Sequence, residues 1–257
     1  MSLNAAYFFD WNLQVKIKTI GIYIIMEYLI YDKSVNKTEL SKMNIVITDD
    51  CCVKSGVKIW SNVCIKNGSK IDENCEITSN SVLQNVVIGK GVLVKSSYLE
   101  DSEICACCTV GPFAHIRDNS IVGANCRIGN FVEIKNGKVG EECKIAHLAY
   151  VGDAVIGKNC NIGCGVIFCN YNGKIKQQTI LGDNVFVGSN TNLIAPVKIG
   201  NNVYIAGGST ITQDINDNEF AIARSHQTNK TDFKNPYVDK NWVMFKIKNI
   251  QNYFLLT

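Results

Sequence analysis

Residues 104–134 read ICACCTVGPFAHIRDNSIVGANCRIGNFVEI, and within them Ile104, Val110, Ile116, Val122, Ile128 and Ile134 recur every six positions. A step of six fits neither an α-helix, whose apolar face returns about every 3.6 residues, nor a simple alternating strand. It fits short strands separated by turns, each anchor pointing inward and stacking on its counterpart in the next coil. A single coil of this kind cannot bury its own apolar face, so its stability comes from its neighbours.

The same step runs upstream through Ile47, Val53, Ile59, Ile65, Ile71, Ile77 and Leu83. Downstream it returns as Leu181, Val187, Leu193, Ile199, Ile205 and Ile211. Gly follows many anchors (Gly89, Gly111, Gly123, Gly129, Gly163, Gly188), which suggests a turn with unusual backbone angles. Four residues after an anchor a small residue recurs, as at Cys75, Cys126, Cys143 and Cys160, where a larger side chain would overpack an inward corner. The step slips between Leu83 and Ile88, around Ser96 to Leu99, and at Lys138-Val139. It breaks fully at NYNGKIKQQT, residues 170–179, which must leave the coil as a loop. The chain thus divides into an N-terminal extension (1–43), a repeat domain (44–214) and a C-terminal tail (215–257) ending in the apolar stretch Trp242 to Leu256.

Composition narrows the function. A net charge of +3 without a Lys/Arg block argues against nucleic acid. The apolar run Ile20 to Tyr31 is short and broken by Glu27, so it reads as a packed helix or strand and not a membrane span. Twelve cysteines occur without paired CxxC spacing and beside only three histidines. They read as reduced, structural thiols of a cytoplasmic protein, with neither a disulfide framework nor a metal site.

His147 lies two positions after the anchor Ile145, in KIAHLAYVGDAVIG. A lone histidine is usually packed or solvated; in function it would be a general base, since it titrates near neutrality. Arg117 and Lys135, read as three and one coils upstream, would suit a phosphate, Arg by its planar fork and Lys as a point charge. Each alone would pass for a solvated surface charge.

From about Ile45 to Phe233 the chain resembles the C-terminal half of the bifunctional bacterial enzyme glucosamine-1-phosphate acetyltransferase / N-acetylglucosamine-1-phosphate uridyltransferase. The match runs through VGPFAHIR, GNFVEIK, AHLAYVGDAVIG, NIGCGVIFCNYNG, ILGDNVFVGSN, LIAPVKIG, IAGGSTIT and AIARSHQTNK. The resemblance implies an all-β fold, a left-handed parallel β-helix of hexapeptide repeats. It implies transfer of acetyl from acetyl-CoA to the amine of glucosamine 1-phosphate, with no metal required, in a homotrimer whose sites are shared between subunits. Carried over by position, His147 would be the general base. Arg117, Glu133, Lys135, Tyr150, Asn161 and Lys176 would hold the sugar phosphate. Cys164, Asn170, Tyr171, Ser189, Gly207, Arg224 and Lys230 would line the acetyl-CoA site, and backbone N–H groups near Gly163 to Gly165 would stabilise the oxyanion. The family usually has Ala where Cys164 and Gly207 stand, and Phe233 replaces its tail aromatic. Residues 1–43 contain only Gly21, too little for the family's nucleotidyltransferase loop, so no uridyltransferase activity is expected. Two alternatives remain: acetylation of another amino-sugar phosphate or nucleotide sugar, and a non-catalytic trimeric scaffold.

Overall fold

The computed structural model describes residues 17–20, 23–26, 28–32 and 34–233. The apolar stretch Trp242 to Leu256 lies outside them. From Val46 to Ala221 the chain winds as a left-handed parallel β-helix of short strands on three faces.

The first face carries Cys64–Lys66, His115–Arg117, Glu133–Lys135, Tyr150–Gly152, Ile167–Cys169 and Asn192–Ile194 in parallel register. The second carries Lys70–Ile71, Ile121–Val122, Lys138–Val139, Ala154–Ile156, Thr179–Leu181 and Val197–Ile199. The third is an 11-stranded sheet that includes Arg127–Ile128, Lys144–Ile145, Asn161–Ile162, Phe186–Val187, Tyr204–Ile205 and Phe220–Ala221. Its first strand, Tyr28–Tyr31, runs antiparallel to Val57–Trp60 and sets Leu29 into the core. A short helix, Lys37–Lys42, follows, closed by a capping box between Asn36 and Glu39. Strands Ile17–Ile20 and Tyr23–Met26 pair antiparallel with each other. The described residues 225–233 belong to a unit separate from the solenoid.

The anchors of the six-residue step are the core. Ile65, Ile77, Leu83, Ile116, Ile134 and Leu193 are each 0% exposed. Burying such a side chain contributes about 1.5–3 kcal/mol relative to leaving it in water. Because each anchor packs on those above and below, the gain is made between coils.

The small residues also fall where the spacing requires. Cys75, Cys108, Cys126, Cys143 and Cys160 are buried, and their thiols donate to the carbonyls of Gly89, Gly123, Gly140, Gly157 and Gly182 at 3.0–3.2 Å. All twelve cysteines are free, and burial pushes the Cys75 thiol up.

Of the glycines that follow anchors, Gly111 has the expected left-handed backbone (φ 93°), but most serve a different purpose. Gly89, Gly123, Gly140 and Gly163 do not have positive φ; instead, a Cβ there would strike the backbone of the next coil, 2.6 Å from Gly140 C for Gly123 and 2.7 Å from Ser189 N for Gly163. Left-handed backbone is supplied two positions later by Gly91, Asn125, Glu142 and Gly165 (φ 60–69°). Asparagine tolerates that region better than most residues, through local side-chain hydrogen bonding. Gly is needed after the anchor for close approach, and the residue two positions on, Gly or Asn at most corners, makes the turn.

The slips have the same kind of cause. At Leu83 to Ile88, Val94 to Leu99 and Ile134 to Val139 a corner is made with one residue fewer. A single left-handed residue turns it: Asn85, Ser96 and Asn136, with φ of 49, 38 and 48°. The insertion at 170–179 leaves between the first and second faces as a loop, with Tyr171 bridged to Lys176.

Candidate active site

The first face gathers four of the expected substrate residues. Arg117 and Lys135 are direct ladder partners, as are Glu133 and Tyr150. Inward anchors (Ile116, Ile134, Val151) alternate with these outward side chains, so the strand period delivers them to one surface. In the ladder Arg117 is followed by Lys135 and then Gly152, which sets Arg117 two coils above Tyr150 and the preceding corner. The expected three coils is corrected: only thirty residues separate Arg117 from His147, fewer than two coils of about eighteen.

These charges are interlocked. Arg117 donates to Glu133 Oε1 from Nη2 at 2.6 Å and from Nε at 3.0 Å. Its Nη1 lies 3.3 Å from Asp118 Oδ2, the same oxygen that Lys135 Nζ approaches at 3.3 Å. The hydrogen bond to Glu133 raises the Arg117 guanidinium further. Burial works to raise the Asp118 carboxyl, but Lys135 and Arg117 outweigh it and hold it below the usual range. The loop brings Lys176 against Lys135, and the neighbouring ammonium holds Lys176 below the ordinary lysine range. Three cations meeting at one place is an arrangement an anion would relieve.

Gly152 clears space on this face. A Cβ there would lie 2.6 Å from the Tyr150 hydroxyl and 2.7 Å from Asn170 Nδ2, so the phenol folds over the glycine. Asn170 is buried, and its amide donates to Asp153 Oδ2 at 2.5 Å, while Asn136 donates to Asp153 Oδ1 at 2.6 Å. The root of the loop is thereby tied to two coils. Tyr171 is exposed and donates to the Gly173 carbonyl at 2.8 Å.

His147 stands on the corner between the third and first faces. It and Leu148 both have left-handed backbone, φ 63 and 61°, and both side chains are exposed. Such conformations cost roughly 1–2 kcal/mol for ordinary L-residues and gather at functional sites. Ladder register places Cys164, Ser189 and Gly207 at the positions equivalent to His147 in the next three coils. Backbone bonds run down this corner: Gly165 N to His147 O (2.9 Å), Asn190 N to Cys164 O (2.7 Å) and Gly208 N to Ser189 O (2.8 Å). Arg224 closes the column, its Nη1 donating to the Gly207 carbonyl at 2.6 Å.

The other expected residues lie elsewhere. Asn161 is on the third face, around the corner from Arg117 and Lys135. Asn170 and Tyr171 lie in the loop that leaves the far edge of the first face and carries Lys176 to Lys135, and Lys230 is an exposed residue of the second unit. The expected oxyanion donors narrow to one. Gly163 N donates to Val187 O and Gly165 N to His147 O, both at 2.9 Å, which leaves only the Cys164 N–H of the three without a backbone acceptor among the described residues.

Sequence reasoning missed Asp118, Gly152 and Asp153, which shape the charged cluster. Asp118 and Asp153 follow the strand ends by one residue in HIRD and YVGD, which was the available signal. It also missed an adjoining group in which Tyr98 Oη donates to Glu100 at 3.1 Å and His115 Nε2 lies 3.2 Å from the same carboxylate.

Residues 98–193 match the family model described as the GMPPB C-terminal domain, and residues 178–213 match the bacterial transferase hexapeptide model of six repeats. Bifunctional protein GlmU of Clostridium botulinum (strain Kyoto / Type A2) is 47% identical over 156 residues, 61% of this chain and 34% of that protein. GlmU of an Exiguobacterium species is 44% identical over 193 residues, 75% of this chain and 43% of that protein. Among solved structures, LpxA of Bacteroides fragilis, a UDP-N-acetylglucosamine acyltransferase, is 19% identical with a TM-score of 0.46, covering 66% of each chain. The chain spans roughly a third of the length of the first curated relatives it matches. The coil geometry and these matches make the chain a hexapeptide-repeat β-helix protein, homologous through its solenoid to part of the bifunctional GlmU proteins.

Proposed function

We propose that the protein is an acyltransferase that moves acetyl from acetyl-CoA to the amine of glucosamine 1-phosphate. The observation carrying this reading is the pairing of two features: an exposed His147 on the corner column, and the Arg117–Lys135–Lys176 cluster on the adjoining face. A phosphate at the cluster would pair with Lys176 and draw Arg117 and Lys135 from Glu133 and Asp118, and the sugar would extend along the face. His147 would take the proton as the amine nitrogen attacks the thioester carbonyl. The Cys164 N–H, free of a backbone acceptor, would donate to the developing oxyanion. Acetyl-CoA would run along the column of Cys164, Ser189, Gly207 and Arg224.

Asn161 and the residues of the first face point from different sides of one corner, so a single chain does not converge them. This supports a homotrimer in which a neighbouring copy completes each site, since rotational symmetry would oppose unlike faces. Sequence identity to GlmU over the solenoid favours glucosamine 1-phosphate over other amino sugars.

Incubation with acetyl-CoA and a panel of glucosamine 1-phosphate, glucosamine 6-phosphate and UDP-glucosamine, read by mass spectrometry, tests this. Acetylated product from glucosamine 1-phosphate alone is expected. Product only from another member would move the substrate while keeping His147, and no product would leave the scaffold reading.

A further inference from the structure

Tyr98 and His115 are ladder partners on the first face, and His115 is in turn the partner of Glu133. Carried two residues on, the same register sets Glu100 beside Arg117, and Arg117 is itself paired with Lys135. Arg117 therefore stands between two carboxylates, Glu100 on the preceding coil and Glu133 on the following one. It pairs with only one of them. Its Nη2 and Nε donate to Glu133, whereas Glu100 makes no bond to the guanidinium among the described residues. Glu100 is nevertheless the less exposed of the two, 24% against 36%, so burial presses it harder to find a partner. Its partners are Tyr98 and His115. Tyr98 Oη donates to Oε2 at 3.1 Å, and His115 Nε2 lies 3.2 Å from Oε1. A carboxylate has no proton to give, so the imidazole is the donor, which it can be whether neutral or charged. The bond to Glu100 pushes the Tyr98 phenol up, which keeps its proton in place. The two rings lie against each other, centroids 5.1 Å apart, and so hold both donors over one carboxylate. This choice of partner has a direction. Glu133 and Asp118 lie on the Lys135 side of Arg117, and Nη1 shares Asp118 Oδ2 with Lys135 Nζ. A guanidinium drawn to Glu100 would turn its fork toward the preceding coil, away from Lys135.

Resting on the acetyl-transfer reading above, we infer that His115 and Tyr98 are positioning residues for the sugar phosphate: by occupying Glu100 they keep Arg117 turned toward Lys135. They act through Arg117 and touch neither the phosphate nor the reacting atoms. With either donor removed, Glu100 becomes a second carboxylate competing with the phosphate for the same guanidinium, from the side where no other cation helps to hold the anion. The consequence falls on substrate affinity and not on the chemical step, which takes place at the corner that carries His147.

The test measures KM and kcat for glucosamine 1-phosphate at saturating acetyl-CoA, with the full chain and three variants. His115→Phe keeps a ring against Tyr98 and removes the donor. Its KM should rise roughly 3- to 10-fold while kcat hardly changes. Glu100→Gln alone should match wild type. Combined with His115→Phe it removes the competing charge, and KM should return to the wild-type value, a recovery that a merely structural defect would not show. Tyr98→Phe, which also keeps its ring, repeats the comparison at the other carboxylate oxygen and serves if His115→Phe loses its fold by circular dichroism. An unchanged KM in the folded donor variants overturns the inference and leaves the acetyl-transfer reading standing. A raised KM that Glu100→Gln does not restore overturns it in the same way. No acetylated product from wild type brings down both.

Discussion

Arg117 Nη1 and Lys135 Nζ meet on a single oxygen, Asp118 Oδ2, each at 3.3 Å, from positions directly opposite in adjacent strands. Neither cation is held there by a deep ion pair, since the Asp118 side chain is 44% exposed. An exposed pair contributes little to stability, about 0–1 kcal/mol. On the proposed function their placement matters more for the ligand than for the fold. Arg117→Ala and Lys135→Ala are expected to raise KM for the sugar phosphate by roughly 10- to 100-fold each. Melting temperatures should hardly move. Because both would hold one phosphate, the double variant should lose less than the sum of the two, measurable as a double-mutant cycle.

The Lys135 ammonium holds Lys176 below the usual lysine range, so charging Lys176 is disfavoured in the free protein. A bound phosphate dianion favours the charged form and raises that pKa. Binding should therefore take up a proton at alkaline pH, between the lowered free value and the higher bound one. Affinity should fall as pH rises through the lowered value. Calorimetry in two buffers of different ionisation enthalpy reads the uptake directly, and Lys176→Met should abolish it.

Gly123 and Asn125 separate two backbone demands within one turn. Gly123→Ala puts a Cβ 2.6 Å from Gly140 C and should destabilise by about 1–3 kcal/mol, because backbone cannot move aside cheaply. Asn125, at φ 60°, should accept Gly with little change, while Asn125→Ala should cost about 1–2 kcal/mol. Denaturant melts of the three variants give the comparison.

Phe168 is the largest fully buried side chain among the described residues and lies between Val151 and Leu193 just before the loop leaves the coil. Phe168→Ala should cost about 3–5 kcal/mol, through lost burial and the cavity left behind. Urea unfolding checks the value.

Much of the fold was readable from Ile104 to Ile134, because the inward stacking of each coil forces the same residue type at the same step. The slips were readable as slips, but not as five-residue corners turned by Asn85, Ser96 and Asn136. That is a backbone property which the anchors alone do not encode. The glycines misled for a related reason: Gly89 and Gly123 answer to the neighbouring coil's backbone, a contact invisible in one chain segment. In the site, His147, Arg117 and Lys135 stood out by type and neighbourhood. Asp118 and Asp153 did not, because a carboxylate after a strand looks like any solvated turn until its cationic partner is placed beside it. The corner column from His147 to Arg224 needed register, since its members lie 17 to 25 residues apart along the chain.

The most direct test follows the formation of N-acetylglucosamine 1-phosphate from acetyl-CoA and glucosamine 1-phosphate, by mass spectrometry, with wild type and His147→Ala side by side. Wild type should form the product, and His147→Ala should lose about 10²- to 10⁴-fold in kcat with an unchanged circular dichroism spectrum. Equal rates from both proteins, or no product from wild type, would contradict acetyl transfer with His147 as its base.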